Sequence, residues 1–521
     1  MSRLGLGRIE SCRQLCEIVL PSPGVIAAQL VVLRKQRLQG WWARIQARPG
    51  FAYCGTGVPG YGPTAIRANM PADPRSNFAR QLGLFDTTLL VMGGIVGSGI
   101  FINPYVVAQQ VHTPALILGV WICGGMVALA GAFIWAELAA ILPDVGGQYA
   151  YLRDAYHPGV GFLYGWALLL VIQTGGMAAV SITFARYFLE LSGGHAPEWM
   201  VASVALGVLA FVNCLGIKSS GRTQSVLMLM RIGAISALVI GGAAFASRHA
   251  PSTVAERGWS LPSLGAAMVP VLFAYGGWQT ASFVAPEIQD STRNLPRGLI
   301  IGVIGVVALY VAVNWVCLDS LGPQAMAATH TPATAVMRLA LGERGASFIA
   351  SAIAISTLGF LSQSILTAPR VYFAMAKDGL FFRAVARLHP RTRVPVVAIV
   401  LQSAWTIVIA LSGRYEQILN YVVSMDFLFF GLTAATLFVF RRRIAQGAMK
   451  AGFGYRVPGH PLTTALFVLI CGWVVCNTIY RYPRNCLIGY GLLLAGVPVY
   501  WLWSRRRSHP IEHLGTHQES V

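Results

Sequence analysis

The chain has 521 residues, of which 55% are hydrophobic and only 11% are charged. A soluble globular domain carries about 25% charged residues, so this composition excludes an ordinary soluble protein and indicates a polytopic membrane protein. The net charge of +20 could indicate a nucleic-acid partner. However, most Lys and Arg residues stand in short loops between apolar runs, as membrane topology requires. We therefore expect a lipid bilayer and no nucleic acid as partner.

Residues 1–74 differ from the rest of the chain because they carry scattered Arg, Gly and Pro without a hydrophobic period. The run EIVLPSPGVIAAQLVVL (17–33) contains two prolines and is short for a membrane span. It also lacks the small-residue cleavage site of a signal peptide. Met70 opens a short polar lead into the first apolar run. We interpret the region 1–74 as lying outside the transport domain: it is a gene-model artefact, with translation starting at Met70 so that the first 69 residues are not made, or else a disordered basic tail.

Residues 75–507 form the predicted transmembrane domain, with twelve apolar runs long enough to cross a hydrocarbon core of about 30 Å. The runs cover 82–109, 114–141, 159–189, 200–216, 224–246, 262–286, 298–320, 346–376, 394–412, 416–440, 461–480 and 484–503. Loops rich in Lys and Arg alternate with loops that are poor in them, which predicts that both termini, including the tail 508–521, are cytoplasmic. The prediction is an all-α, multi-pass protein of the cell (inner) membrane.

Two of these runs have glycine at their centres. The first contains GGIVGSGIF (93–101), and the sixth contains FAYGGW (273–278). Each helical glycine costs about 0.5–1 kcal/mol relative to alanine. Close helix packing through the GxxxG spacing of Gly93 and Gly97 is one interpretation. Paired weak points at the start of two five-helix halves favour another, a transporter site near the middle of the membrane.

A substrate for such a site follows from the chemistry of a broken helix. The freed amides at the start of a half-helix suit a carboxylate, and freed carbonyls suit an ammonium group. An α-amino acid carries both groups on one carbon. The nine cysteines and ten histidines show no metal-binding spacing, and no phosphate-binding loop appears, so we expect no metal, no cofactor, no ATP coupling and no enzymatic activity.

The motifs GSGIFINP (97–104), FAYGGW (273–278), RNLPRGL (293–299) and TAPRVYFAMAKDG (367–379), with the second span at 121–152, resemble those of the amino acid–polyamine–organocation permeases. The resemblance is strongest to the L-type amino acid transporters and their bacterial relatives, and it covers residues 78–505. It implies a LeuT-type fold, which is an inverted five-plus-five repeat with broken helices 1 and 6 and two further helices. It also implies secondary transport.

The resemblance implies substrate contacts as well. The carboxylate would bind the amides of Gly97, Ser98 and Gly99, and the amino group would bind carbonyls near Ile95, Phe273 and Gly276. Phe273 would be the aromatic gate, and Gln279 stands where relatives often have Asn. Trp278, Tyr275 and Phe427 are predicted pocket walls. Gly175, Gly176, Gly276 and Gly277 leave room, which favours larger apolar side chains.

Four residues are predicted to take part in coupling or gating: Arg231, Phe273, Glu137 and Asp426. Arg231 stands where sodium-independent relatives have Lys, and because Arg keeps its proton we expect a fixed substitute for sodium. The alternative is an Arg that snorkels to the membrane interface. Glu137 is interpreted as a packing or gating hydrogen bond rather than as a substrate contact.

These features predict sodium-independent exchange of neutral L-amino acids. Proton-coupled transport, or transport of cationic amino acids or polyamines, is the alternative that Asp426 would favour if it faces the pocket. A non-transporting amino acid sensor is a more remote one. The loop ELSGGHAPEWM (190–200) has no cysteine, so we expect no disulfide-linked glycoprotein partner.

Overall fold

The computed structural model describes residues 82–144, 146–215, 220–245, 260–390, 392, 394–412, 415–449 and 455–506. The predictions for residues 1–74 and for the tail 508–521 lie outside these residues. The described chain is a bundle of helices with short connections. Its α-helices are α1 (Leu84–Ile95), α2 (Gly99–Gln110), α3 (Pro114–Ile141), α4 (Gln148–Ala155), α5 (Pro158–Ala167), α6 (Gln173–Ser192), α7 (Glu198–Cys214), α8 (Ser220–Phe245), α9 (Leu261–Tyr275), α10 (Ser291–Ala328), α11 (Pro332–Thr367), α12 (Pro369–Lys377), α13 (Val396–Ser412), α14 (Tyr415–Ala445), α15 (Leu462–Arg481) and α16 (Pro483–Arg506).

Three shorter segments complete the architecture. A π-helical turn, Leu168–Ile172, joins α5 to α6, and 3₁₀ helices cover Trp278–Glu287 and Arg383–Ala386. A π-helical turn inside an α-helix is often found at a functional site.

Helices overlap all twelve of the predicted spans. Among the described residues, eight helices are long and apolar enough to cross a membrane, or nine if the bent pair α1 and α2 counts as one. The helices Glu198–Cys214 and Val396–Leu411 are apolar but shorter. The finding confirms an all-helical, multi-pass membrane protein, and the number of twelve crossings stays a prediction.

The first predicted weak point is a break. Helix α1 ends at Ile95, α2 begins at Gly99, and their axes differ by 41°. Val96 at the end of α1 has φ −74° and ψ 86°, which no helix accommodates. Gly97 donates its amide to the Ile95 carbonyl at 2.8 Å, which closes a tight turn.

The second weak point is also a break. Helix α9 ends at Tyr275, and Gly276 is extended, with φ −66° and ψ 162°. Gly277 has φ 105°, a conformation that L side chains rarely adopt, so glycine is required here. The two breaks touch, because a Cβ on Gly94 would lie 2.7 Å from the Gly277 carbonyl oxygen. Both positions must therefore lack a side chain.

Large aromatic side chains pack behind the breaks and hold them in place. Trp121 on α3 lies with its ring edge towards Tyr275 and Tyr310, at centroid distances of 5.8 Å in both cases. Trp135, also on α3, packs edge-on against Trp278 at 4.8 Å. Edge-to-face pairs of this kind add about 0.5–1.5 kcal/mol to the stabilisation from burial. Helix α3 thus forms a rigid wall along the second break.

Candidate functional site

A cavity of about 70 Å³ lies between the two breaks. Its lining includes nine of the ten predicted substrate contacts together with Asp426: Ile95, Gly97, Ser98, Gly99, Phe273, Gly276, Gly277, Gln279, Asp426 and Phe427. The sequence therefore located one continuous site from segments that lie far apart in the chain. The role of each residue in binding stays a prediction.

The amide side of the cavity is formed by the start of α2. Among the described residues, the backbone amides of Ser98 and Gly99 donate to no hydrogen bond, whereas the amide of Gly97 is already used by Ile95. The Ser98 hydroxyl is fully buried and also has no partner within the described residues. Buried polar groups usually find partners, so two amides and one hydroxyl at a positive helix end leave a place for an anionic group.

We expected carbonyls near Ile95, Phe273 and Gly276 to bind the amino group, but the Ile95 carbonyl oxygen is already occupied. The Ile95 carbonyl accepts hydrogen bonds from the Gly97 amide at 2.8 Å and from the Tyr310 hydroxyl at 3.2 Å, so both of its lone pairs are engaged. The Phe273 carbonyl accepts one from the Gly276 amide at 3.1 Å. Within the described residues, the Gly276 carbonyl accepts none. An ammonium group would therefore find its readiest acceptors at Gly276 and Phe273.

Arg231 lies deep in the bundle with only 2% of its surface exposed. Its Nη1 donates to the carbonyl oxygens of Gly93 at 3.1 Å and Val96 at 3.3 Å, on either side of the end of α1. Gly359 on α11 makes room for the guanidinium, because a Cβ there would overlap it. This placement differs from the alternative of a side chain that reaches the membrane interface. No ion pair to Arg231 occurs among the residues that the structure describes.

Aromatic and amide side chains close the cavity on other sides. Phe273 and Phe427 face it as predicted, and Phe360 on α11 lines it as well. Gln279 accepts the Gly277 amide with its Oε1 at 3.0 Å and so stabilises the second break. Asp426 lines the cavity and forms neither a hydrogen bond nor an ion pair within the described part of the chain.

Trp278 and Tyr275 are not where we expected them. Trp278 is not part of the cavity lining, because its indole packs behind the break against Trp135 and at 5.2 Å from Phe430. Tyr275 is 1% exposed and belongs to the aromatic group behind the break. The predicted space at Gly175 is also absent, since a Cβ there would meet Val422 Cγ2 at 2.5 Å.

Glu137 lies away from the cavity. It is 4% exposed, and its two oxygens accept from Nε and Nη2 of Arg441 at 2.7 Å each. The amide of Val457 also donates to it at 2.6 Å. The carboxylate thus ties α3 to the end of α14 and to the following loop, consistent with a structural or gating hydrogen bond.

Further ion pairs are formed by Arg153 and Arg370. Arg153 pairs with Asp144 at 3.4 Å and with Asp378, which also accepts from the Tyr149 hydroxyl at 2.8 Å. Burial and the Asp378 carboxylate raise the pKa of Tyr149, so it stays a donor. Arg370 on α12 pairs with Glu287 at 3.0 Å. The Arg153–Asp378 pair connects a segment before the second break to one after it, whereas Arg370 and Glu287 both follow that break in the chain.

Sequence reasoning missed most of the polar lining on α11 and α6. Gln363 donates to the Leu90 carbonyl at 2.8 Å and lines the cavity. Gln173, Ser364 and Thr367 also line it. The signal was available, because polar residues in the apolar run STLGFLSQSILT (356–367) are expensive inside a membrane. Tyr310 was missed because nothing distinguishes one tyrosine in an apolar run.

Comparisons with known proteins agree with this architecture. The chain matches the amino acid permease family over residues 82–502, a range that includes both breaks and the whole cavity lining. It is 28% identical to the human large neutral amino acids transporter small subunit 2 over 436 residues, which is 81% of this chain and 80% of that protein. It is 28% identical to the serine/threonine exchanger SteT of Bacillus subtilis (strain 168) over 433 residues, or 82% of this chain and 98% of that protein.

The Asc-type amino acid transporter 1 of Mus musculus is 27% identical over 451 residues, or 84% of each chain. These proteins are carriers rather than enzymes. The match to the family covers most of the sequence and confirms the resemblance first seen in the motifs. The chain therefore belongs to the amino acid permease family.

Proposed function

We propose that this chain is a secondary transporter that exchanges neutral L-amino acids across the cell (inner) membrane by alternating access. The observation that carries the proposal is the cavity between the two breaks. On one side are the amides of Ser98 and Gly99 and on the other the Gly276 carbonyl, none of which has a hydrogen-bond partner among the described residues. A zwitterion satisfies both sides at once. The names of the human and Bacillus subtilis relatives, a large neutral amino acids transporter and a serine/threonine exchanger, support neutral substrates and exchange.

The size of the cavity favours a small side chain. An engineered apolar cavity of about 150 Å³ binds benzene, and this one is about 70 Å³. A phenylalanine-sized side chain would require the bundle to open, whereas serine, threonine or alanine would require less movement. We therefore propose small neutral amino acids as the preferred substrates, rather than the larger apolar ones that the glycines indicated.

Arg231 supports transport without sodium. Its guanidinium already satisfies the carbonyls of Gly93 and Val96, and a permanent charge cannot leave as a coupling ion does. We propose a LeuT-type five-plus-five repeat with twelve spans in which α1 with α2 and α9 with the following 3₁₀ helix are the broken helices 1 and 6. Both termini would then be cytoplasmic, and the ion pairs of Arg153 and Arg370 would close the cytoplasmic side.

The remaining proposals concern the ends of the chain and its partners. Residues 75–507 would form the transport domain, residues 508–521 a cytoplasmic tail, and residues 1–74 would contribute nothing to transport. A chain that begins at Met70 should insert and transport like the full chain. Because the loop 190–200 lacks cysteine, we propose that no glycoprotein is linked to it by a disulfide.

A second function is favoured by Asp426. A carboxylate that faces the cavity without a partner among the described residues would attract a cationic side chain or carry a coupling proton. Transport of cationic amino acids or polyamines, or proton-coupled transport, is therefore the alternative.

One experiment separates these functions. Proteoliposomes that contain the purified chain are loaded with L-serine, L-leucine, L-lysine or buffer, and uptake of labelled L-serine is measured with sodium or N-methyl-D-glucamine outside. Uptake that requires internal serine and is equal in both media supports the proposal. Exchange with internal lysine, or accumulation driven by a pH gradient, supports the alternative. No uptake above protein-free liposomes contradicts transport of neutral amino acids.

A further inference from the structure

Helix breaks release backbone carbonyl oxygens, and in membrane transporters such oxygens can coordinate a coupling cation. In this chain, side-chain donors already occupy them at the end of α1. Arg231 donates to the carbonyls of Gly93 and Val96, and Tyr310 donates to the carbonyl of Ile95. Tyr310 also lies 3.3 Å from the Ala274 carbonyl at the end of α9.

The Tyr310 hydroxyl lies between the two helix breaks and contacts one carbonyl oxygen from each. Ile95 belongs to the first break and Ala274 to the second, and both residues line the cavity. The hydroxyl lies 3.2 Å from one carbonyl oxygen and 3.3 Å from the other. Tyr310 itself is fully buried on α10 and does not line the cavity. Tyr310 therefore contacts the backbone of the site from outside the cavity lining, where the carbonyl oxygens of Ile95 and Ala274 converge.

The phenol ring has little freedom to leave this position. It packs against Trp121 at 5.8 Å and against Tyr275 at 5.1 Å. Asn314 donates to the Tyr310 carbonyl at 2.8 Å one turn along α10. Close packing of this kind keeps side chains in single rotamers, so the hydroxyl is a fixed donor rather than an adaptable one.

We propose that Tyr310 is a positioning residue whose hydroxyl occupies the converging carbonyl oxygens of Ile95 and Ala274, as Arg231 occupies those of Gly93 and Val96, and so keeps alkali cations away from these four oxygens beside the substrate site. This inference rests on the proposed amino acid transport. It adds that the Tyr310 hydroxyl stands where a coupling cation would otherwise bind the carbonyl oxygens of Ile95 and Ala274. A carbonyl oxygen offers two lone pairs, and those of Ile95 are taken by the Gly97 amide and the Tyr310 hydroxyl. A cation that binds the Ile95 and Ala274 carbonyl oxygens would have to displace the Tyr310 hydroxyl, whose single hydrogen lies between them.

The decisive variant is Tyr310→Phe, which removes only the hydroxyl. The two carbonyl oxygens of Ile95 and Ala274 then face a gap the size of the missing oxygen atom, with no donor in it. Tyr275→Phe is the matched control, because its hydroxyl is also buried and forms no hydrogen bond within the described residues. Its ring lies only 5.1 Å from that of Tyr310, so the control makes the same chemical change in the same aromatic group.

The first measurement is the unfolding temperature of the purified full chain in sodium chloride and in N-methyl-D-glucamine chloride at equal ionic strength. A cation that binds the folded state raises this temperature in a saturable way. We expect no sodium effect in the wild type or in Tyr275→Phe, and a saturable rise in Tyr310→Phe. A sodium effect on the wild type, or a Tyr310→Phe variant that matches Tyr275→Phe in both media, would overturn the inference. If Tyr310→Phe does not fold, the wild type still tests the inference, because a saturable rise of its own unfolding temperature in sodium would overturn it.

The second measurement is exchange of labelled L-serine by the same three proteins. Loss of one buried hydrogen bond should weaken apparent affinity about tenfold in Tyr310→Phe without sodium, and sodium should restore part of it. A purely structural role would lower exchange equally in both media, which contradicts the inference. The unfolding experiment does not depend on transport. If the wild type exchanges no neutral amino acid, the proposed function fails separately from the cation result.

Discussion

Replacing Arg231 by methionine tests the role of the buried cation most sharply. Methionine keeps most of the length and apolar volume of the side chain and removes the charge and its donors. The guanidinium makes two hydrogen bonds, to the carbonyls of Gly93 and Val96, at 3.1 and 3.3 Å. The substitution therefore leaves the end of α1 without its only side-chain donor at these two carbonyls among the described residues.

Two opposing terms decide the effect on stability. Hydrogen bonds to charged groups contribute about 1.5–3 kcal/mol each, so the two carbonyls lose roughly 3–6 kcal/mol. Removal of a buried charge returns its desolvation cost, which is also several kcal/mol. That cost is large here because Nε and Nη2 of Arg231 have no partner within the described chain. We therefore expect the unfolding temperature to change little, while exchange falls at least about a hundredfold because the break is no longer held.

The assay compares L-serine exchange and unfolding temperature for the wild type, Arg231→Met, Arg231→Lys and a control, Arg338→Met. Arg338 is half-exposed and pairs with the exposed Glu343, so its loss should change stability by about 0.5 kcal/mol or less. Arg231→Lys should retain exchange at neutral pH and lose it as the pH rises, since a buried lysine can lose its proton. Full exchange by Arg231→Met, or its collapse together with unfolding, would refute the reasoning.

Four further predictions concern the cavity and the ion pair of Glu137. Gly97→Leu should fold normally and lose L-serine binding, because its Cβ would point at the Phe360 ring at 3.3 Å and its side chain would extend into the cavity; wild-type binding would place the carboxylate elsewhere. Gly99→Leu should also lower the unfolding temperature, because its Cβ would lie 2.8 Å from Ala274; an unchanged temperature contradicts that. Phe273→Ala should lower turnover more than affinity in single-turnover exchange, because closure commits the substrate, and equal losses would favour simple packing. Glu137→Ala should cost about 3–5 kcal/mol in unfolding free energy, because Arg441 and the Val457 amide lose a buried partner, whereas a change under 1 kcal/mol would show that the pair contributes little.

The local weak points of the sequence were sufficient to locate the two helix breaks that line the cavity. Glycine clusters at 93–99 and 276–277 identified both breaks because helix propensity is a local property of the chain. Apolar runs identified the helices for the same reason. The contact between Gly94 and Gly277 could not be predicted, since it depends on how distant helices pack.

The errors share one physical origin. Trp278 stands only two residues after Gly276, yet it points away from the cavity because the 3₁₀ helix turns it towards Trp135. Likewise, Gly175 and Gly176 are neighbours, but only Gly176 lines the cavity. The direction of a side chain around a helix is set by tertiary packing, which the presence of a residue in a motif does not specify.

The central claim is that the backbone of the two breaks binds the carboxylate and the ammonium group of an amino acid. The most direct test is inhibition of labelled L-serine exchange by L-serine and by L-serinamide, which lacks the carboxylate. Two charge-assisted hydrogen bonds from the Ser98 and Gly99 amides would contribute about 3–6 kcal/mol, so the amide should inhibit at least about a hundredfold more weakly. Equal inhibition by L-serinamide would contradict the account.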